Sequence, residues 1–374
     1  MPLPDNKKIV LFIADFRPAG AERVFANLAS SLSDCGFDVV LLVGVLQGAA
    51  YLDTLPPAVR VCELGIRHMR YAIPAMIRFL RRERPAVVMS ARDHSNIVAI
   101  AAAKLARTRT RTIATIHQTI SQDMKGRKSL RERLVYRTML WCVPHADAIV
   151  SVSHGTAADF AELARIPQER IQVIYNPVLG PSLKQAANEP LDHPWFGQGK
   201  PPVVVGIGRL TAQKDFPNLI QAVALVRETR DVRLLILGEG DERPALEQLV
   251  RSRHLSDYVA LPGVVRNPYA FLKAAALFAL SSAWEALPTV LIEALGCGCP
   301  VVSTDCPSGP REILQDGRLG RLVPVRDAAA LAEAILAGLR GECPNAVTED
   351  DLKPYTYQAA TDAYVRLISQ LLER

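Results

Sequence analysis

The chain has 374 residues, 49% apolar and 22% charged, which allows two or three domains with sizeable cores and excludes a disordered or fibrous protein. No apolar run reaches about 18 residues without a charge, so no membrane-spanning helix is expected; the nearest case, Pro268 to Trp284, is broken by Lys273. The net charge of +6 is uneven, with 25 Lys and Arg against 15 Asp and Glu in residues 1–184 (+10) and 19 against 23 in 185–374 (−4), so the N-terminal half is expected to meet an anionic partner.

The N-terminus, MPLPDNKKIVLFIAD, lacks a long apolar segment and a small-residue cleavage site. It reads as the first strand of a cytoplasmic protein rather than a secretion signal. Lys8–Ala14 is an unbroken apolar run of strand length, and Ala21–Ser33 has apolar residues at helical spacing. Asp38–Val43, Ala86–Ser90, Arg111–Ile116 and Ala148–Val152 read as further strands, with room between them for crossover helices. Such repeated βα units imply a parallel sheet covered on both faces.

Between Asn176 and Pro202 proline and glycine are dense, which marks a linker. The alternation then restarts with Val203–Ile207 as a strand, Phe216–Arg227 as a helix, Arg233–Leu237 as a strand and Arg243–Arg253 as a helix. Val259–Leu261, Leu277–Ser281 and Val301–Ser303 continue the sheet, and an amphipathic helix near Gln358–Leu372 ends the chain. The expected class is α/β, with two doubly wound parallel-sheet domains and ligands beyond the carboxyl ends of the strands. The expected boundaries are 1–178, a linker over 179–201, a second domain over 202–354 and a final helix over 355–374. The seven cysteines and seven histidines show no zinc-ligand spacing, so reduced thiols and no bound metal are expected.

The chemistry concentrates in Ser281–Val302, where Glu285 and Glu293 stand eight residues apart around Pro288. Proline suits a first helical position, and the amides of a helix N-terminus suit an anion such as a diphosphate. One glutamate falls in the loop before that helix and the other inside it. Gly206-Ile-Gly-Arg-Leu210 follows a strand, and Lys214 lies five residues past Arg209, so two cations can clamp a diphosphate. Gly238-Glu-Gly240 follows another strand, where its backbone could approach a nucleotide. Pro307-Ser-Gly-Pro-Arg-Glu-Ile313 opens another helix, and Ala19-Gly-Ala-Glu-Arg23 joins the first strand to the first helix. His117, in Thr115-Ile-His-Gln118, and His154 each follow a strand; a lone histidine in such a place is more often structural.

In combination, G-x-G-R-L…K, G-x-G, E-x7-E and P-S-G-P-x-E-I-L resemble the retaining GT-B glycosyltransferases called glycosyl transferases group 1, family four. The resemblance covers nearly the whole chain and is densest over 203–325. It implies two Rossmann-like domains facing a cleft, with the acceptor on the N-terminal one, the nucleotide-sugar on the C-terminal one, and the last helix crossing back. It implies that Arg209, Lys214 and the amides of Thr289 and Val290 hold the diphosphate, that Glu293 binds the ribose and that Glu285 touches the sugar hydroxyls. Gly20 would let the first loop close over the phosphates, and His117 would serve the sugar's 6-position. Ala286 and Ala19 stand where the family usually has glycine. The donor is expected to be a UDP-sugar, with GDP possible, and no cofactor or metal is expected.

Arg67–Arg84 and Lys125–Trp141 are basic with interleaved apolar residues, as segments lying on anionic membranes are, or as basic helices packed on their own sheet are. A polyprenyl-diphosphate-linked saccharide acceptor at the inner face of the membrane fits the charge, and nucleic acid does not, since no recognition module is visible. Two rivals stand beside this reading. A nucleotide-dependent dehydrogenase or epimerase would need a G-x-G-x-x-G in the first loop, which is absent. A non-catalytic nucleotide-sugar-binding protein on the same scaffold would bind UDP without transfer.

Overall fold

Strands covered on both faces need apolar residues at successive positions, and β1 (Lys8–Asp15) shows why. Ile9, Leu11 and Ile13 enter one core, while Val10 and Phe12 enter the core on the other side of the sheet. The computed structural model describes residues 6–16, 20–46, 52–66, 71–126, 129–342 and 346–373. Ala19, residues 67–70 of the first basic segment and 127–128 of the second lie outside them.

The chain divides into two compact units, Met1–Pro177 with Pro354–Arg374, and Val178–Lys353. In the first, α1 (Gly20–Asp34), β2 (Asp38–Val45), β3 (Arg60–Glu63), α2 (Ala72–Glu83), β4 (Val87–Ala91) and α3 (Asp93–Ala106) follow β1. Then come β5 (Arg111–Ile116), α4 (Ile120–Gly126), α5 (Leu130–Cys142), β6 (Ala148–Ser151), α6 (His154–Ala164) and β7 (Ile171–Val173). The seven strands are ordered β3-β2-β1-β4-β5-β6-β7, and all the pairings are parallel.

The second unit holds α7 (Ser182–Ala187), β8 (Val203–Ile207), α8 (Phe216–Arg227), β9 (Arg233–Leu237), α9 (Arg243–Ser252) and β10 (Val259–Gly263). It continues through α10 (Pro268–Ala274), β11 (Leu277–Leu280), α11 (Thr289–Gly296), β12 (Val301–Thr304), α12 (Pro310–Ile313), β13 (Arg321–Val323), α13 (Ala328–Leu339) and α14 (Glu349–Leu352). Its six strands run β10-β9-β8-β11-β12-β13, again parallel. Residues 179–201 group with this unit. Leu183 and Ala187 of α7 are buried, and Asn267 Nδ2 donates to Ala186 O (2.8 Å) and Glu189 Oε2 (2.7 Å).

The chain ends in α15 (Tyr357–Leu372), whose Thr356 cap accepts from Ala359 N. Ala360, Tyr364, Leu367, Ile368 and Leu371 recur at helical spacing and share the first unit's core with Phe25, Ala29 and Leu32 of α1. Among the described residues no helix is long and apolar enough to cross a membrane.

Strand order reverses beside β1 in one unit and β8 in the other, and loops at such switch points are where doubly wound sheets bind ligands. Gly20 follows β1, and Arg209 and Lys214 follow β8. The loops after β4 and β11 face the same switch points from the neighbouring strand.

At the opposite end of the first sheet, Glu83 accepts from Arg60 Nη2 (2.5 Å) and Lys8 Nζ (3.2 Å). The Arg60 hydrogen bond, aided by Lys8, holds the Glu83 carboxyl down at about 2. A depressed carboxyl stabilises the fold above its unfolded value near 4.5, and that stability is lost as pH falls from there towards 2. Glu83→Gln is expected to lower stability by about 1–2 kcal/mol at neutral pH and to flatten that acid limb, as read by denaturant melts across pH.

Candidate functional site

In the second unit the loop after β8 is built backbone to backbone against the loop after β9. Gly208 N donates to Leu237 O (3.0 Å) and Leu210 N to Glu239 O (2.8 Å). A Cβ on Gly238, at φ +148°, would stand 1.9 Å from Gly208 O, and one on Gly240 would stand 2.3 Å from Leu210 O. These two glycines therefore let two strand-end loops touch. The nucleotide approach expected for them is not needed to explain their presence.

Lys214 folds back over Gly208, where a Cβ would meet its Cε at 2.9 Å. Its ammonium reaches across the switch point to Glu285 in the loop after β11, with Nζ to Oε1 at 2.5 Å. Only 15% of the Lys214 side chain and 7% of the Glu285 side chain are exposed, so this is a largely desolvated pair. Ser282 Oγ donates to the same Glu285 oxygen (2.7 Å), and Gln213 Nε2 lies 3.4 Å from the other while donating to Trp284 O (3.0 Å). The two loops are further tied by Ala283 N to Gln213 O (2.8 Å) and Ser281 Oγ to Lys214 O (2.8 Å). Cys306 is buried nearby, and burial foremost, with the Glu285 charge, pushes its thiol up.

The Pro307–Pro310 loop supports the next turn. Ser308 Oγ donates to Ala286 O (3.0 Å), and a Cβ on Gly309, at φ +92°, would stand 2.5 Å from Pro288 Cδ. Pro288 sits at the N-cap of α11 without a side-chain cap bond. The Thr289 and Val290 amides open the first turn, ahead of Leu291 N, which donates to Pro288 O (3.0 Å), and form an electropositive end. Glu293 lies one turn further along and is buried. Arg209 is exposed, and no ion pair among the described residues engages it. Five of the residues named from sequence, Lys214, Glu285, Thr289, Val290 and Glu293, thus sit on two adjoining loops and the helix that follows.

The first unit has its own polar cluster. Thr115 Oγ1 donates to Ser90 O (2.8 Å) and lies 3.0 Å from His117 Nε2. A hydroxyl has one proton, so Thr115 must accept from His117, which assigns the proton to Nε2 and leaves Nδ1 as the acceptor. Asn96 locks the support, donating to Thr115 O (3.0 Å) and accepting from Ser90 Oγ (2.7 Å). Burial and, second, the Arg92 guanidinium push the His117 pKa down to about 4, so the ring is neutral at pH 7.

Arg92 itself was not singled out from sequence. It adopts φ 74°, ψ 158°, a region that disfavours side chains, at the N-cap of α3. Its Nη1 donates to Glu22 Oε1 at 2.8 Å, and Glu22 is fully buried on α1. Glu22 belongs to the Ala19–Arg23 stretch, but Arg92 lies 70 residues away in no recognisable pattern, so only the fold reveals the pair. His154 is exposed at the start of α6, edge-on to Tyr175 at 6.4 Å.

Gly20 opens α1, and a Cβ there would meet nothing within 4 Å among the described residues. Nothing among the described residues requires glycine at this position. Gly20→Ala is expected to leave the melting temperature unchanged or slightly raised, and to raise KM for the ligand by roughly tenfold if a phosphate approaches this backbone. Paired melting and binding titrations check both halves.

Residues 201–340 match the family model described as glycosyl transferases group 1, and residues 18–178 match that of glycosyltransferase family 4. An uncharacterized glycosyltransferase of Methanocaldococcus jannaschii is 30% identical over 64% of this chain and 60% of its own length. The N-acetylgalactosamine-N,N'-diacetylbacillosaminyl-diphospho-undecaprenol 4-alpha-N-acetylgalactosaminyltransferase of Campylobacter jejuni is 32% identical over 51% of this chain and 50% of its own. The chain thus spans between half and two thirds of the length of these two relatives. Over longer spans, the lipopolysaccharide core biosynthesis glycosyltransferase LpsE of Rhizobium meliloti is 27% identical across 94% of this chain and 96% of its own. Among solved structures, the apo lipopolysaccharide outer core galactosyltransferase WaaB superposes with a TM-score of 0.74 at 20% identity, covering 97% of this chain and 99% of that one. Anabaena Alr3699/HepE, solved in complex with UDP-glucose, superposes with a TM-score of 0.69 at 19% identity over 98% and 97%.

Proposed function

The chain belongs to the glycosyl transferases group 1 family and has its GT-B fold, and from that premise we propose that it moves a hexose or N-acetylhexosamine from a UDP-sugar to a lipid-linked saccharide, with retention of anomeric configuration, in cell-surface polysaccharide or lipopolysaccharide synthesis. One observation carries the reading. The buried Lys214–Glu285 pair is held, by Gln213 and Ser282, in the loops that lead to the open amides of α11. A cation, a helix N-terminus and an acceptor carboxylate in that order match a diphosphate followed by a hydroxyl-rich sugar.

In this mechanism Arg209, Lys214 and the Thr289 and Val290 amides stabilise the charge that grows on the departing UDP, an electrostatic effect set in place before reaction. Glu293 takes the ribose. Glu285 already accepts from Lys214 and Ser282 at one oxygen. It is thereby suited to hold sugar hydroxyls and ill suited to attack the anomeric carbon, as a hydrolase nucleophile must. The leaving phosphate oxygen then takes the acceptor's proton on the same face. The neutral His117 offers Nδ1 to the sugar's 6-hydroxyl. The lipid-linked acceptor is supported by the name of the Campylobacter relative, and UDP by the ligand of the HepE structure. The enzyme works peripherally at the inner face of the membrane.

The test is a panel of UDP- and GDP-sugars with membrane lipid extract, reading nucleotide release and the anomeric configuration of the product by NMR. Release with a UDP-sugar and an α product from an α donor is expected. Tight UDP binding without transfer to any acceptor would reduce the protein to a binding scaffold, and NAD(H) binding would return the dehydrogenase reading.

A further inference from the structure

The two basic segments differ in what they do with their apolar residues. α2 turns Ala72, Met76, Phe79 and Leu80 into the core beneath it and shows solvent mainly Arg78, Arg81 and Arg82. It is a basic helix packed on its own sheet. α5 buries Tyr136, Met139 and Cys142, yet on its other side leaves Leu130 84%, Leu134 64% and Trp141 71% exposed. At about 100° per residue these three fall within about 40° of one another around the helix. The exposed Arg133 and Arg137 border them on one side and Arg131 on the other. The helix is apolar on two opposed faces, and among the described residues only one is used by the fold.

We propose that this outer face of α5 is the surface by which the protein docks on an anionic lipid bilayer, with Leu130, Leu134 and Trp141 entering the headgroup region and Arg131, Arg133 and Arg137 meeting lipid phosphates. Tryptophan and leucine flanked by arginines suit the membrane–water boundary, where an apolar body and a charged rim are both satisfied. The net +10 of residues 1–184 draws that half towards such a surface. A second copy is a poorer occupant, because a two-fold contact through this face would bring the same three arginines together. The inference rests on the proposed function only in expecting a lipid-borne acceptor.

The full chain is floated with vesicles of phosphatidylglycerol and phosphatidylethanolamine, and with phosphatidylcholine alone, in the absence of any sugar nucleotide. Failure to bind vesicles is thereby separate from failure to bind UDP, which is titrated in parallel. The wild type is expected on the anionic vesicles. The triple variant Leu130→Ser, Leu134→Ser, Trp141→Ser is expected to lose roughly tenfold or more in partitioning at an unchanged melting temperature. Arg78→Ser with Arg82→Ser on α2 is expected to change it by less than about threefold. Lipids brominated along the acyl chain are expected to quench wild-type tryptophan fluorescence but not that of Trp141→Phe, a readout that survives if the triple variant misfolds. Absence of wild-type binding, equal binding by a folded triple variant, or light scattering that shows a dimer abolished by the triple change would each overturn the proposal.

Discussion

Lys214→Ala is expected to cut UDP affinity and nucleotide release from a UDP-sugar by about 10²–10³-fold, the loss usual when one charge-stabilising donor is taken from a site sheltered from water. The substitution removes the cation proposed for the diphosphate and also takes from Glu285, whose side chain is 7% exposed, its 2.5 Å ammonium partner. A buried carboxylate left without its counter-charge typically costs about 3–5 kcal/mol, so the variant is also expected to melt early. The two effects separate in a double variant. Lys214→Ala with Glu285→Gln removes both charges, and the amide still accepts from Ser282. It is expected to regain most of the melting temperature and none of the UDP affinity. If affinity returns with stability, Lys214 is a structural partner of Glu285 and the diphosphate is held elsewhere. Calorimetric UDP titration and thermal melts of the four proteins of the cycle read the answer.

Which parts of this arrangement could be read in the sequence follows from where each part is buried. β1, β8, β9 and β11 lie inside their sheets, covered on both faces, and each is an unbroken apolar run. Of the four edge strands only β10, with five residues, shows a readable run; β3, β7 and β13 have three or four residues and are partly open to solvent, so Arg60–Glu63, Ile171–Val173 and Arg321–Val323 carry no run to notice. The same logic governs the site. Glu285, Pro288 and Glu293 are near one another in sequence and could be seen as a group. The contact between Lys214 and Glu285 spans 71 residues, and only the resemblance to a family joined them before the fold did. Gln213 and Ser282 brace that contact but look like any polar loop residues. Gly238 and Gly240 were visible as a motif, yet the spacing could not say whether a ligand or a neighbouring loop fills the space over them. The opposite faces of α5 were blurred for a related reason. Apolar residues around most of a helix leave little amphipathic signal, and exposure is a property of the packed unit.

His117→Ala is expected to lower kcat by about 10²-fold while changing KM for the donor less than about threefold, the pattern of a contact made mainly as the reaction proceeds. Thr115 Oγ1 accepts the hydrogen bond from Nε2–H, so Nδ1 is left as a lone pair aimed away from that anchor, able to accept from a hydroxyl and unable to donate. His117→Asn keeps an acceptor and a donor and is expected to recover part of the rate, whereas His117→Lys, which can only donate, is not. The pH dependence tests the same assignment. With a folded pKa near 4 against 6.5 unfolded, the ring stays neutral in the native state while the unfolded chain takes up a proton as pH falls below about 6.5. Stability should therefore decline between about 6.5 and 4, a slope that His117→Asn removes. Activity should show no His117 limb above about pH 5. Protonation there would place a second cation beside Arg92. A kinetic pKa of 6 to 7 that disappears with His117→Asn, or a ring that titrates near 6.5 by NMR, would show that the imidazole is in contact with water and free of the Thr115 anchor, and the hydrogen-bond assignment would fall with it.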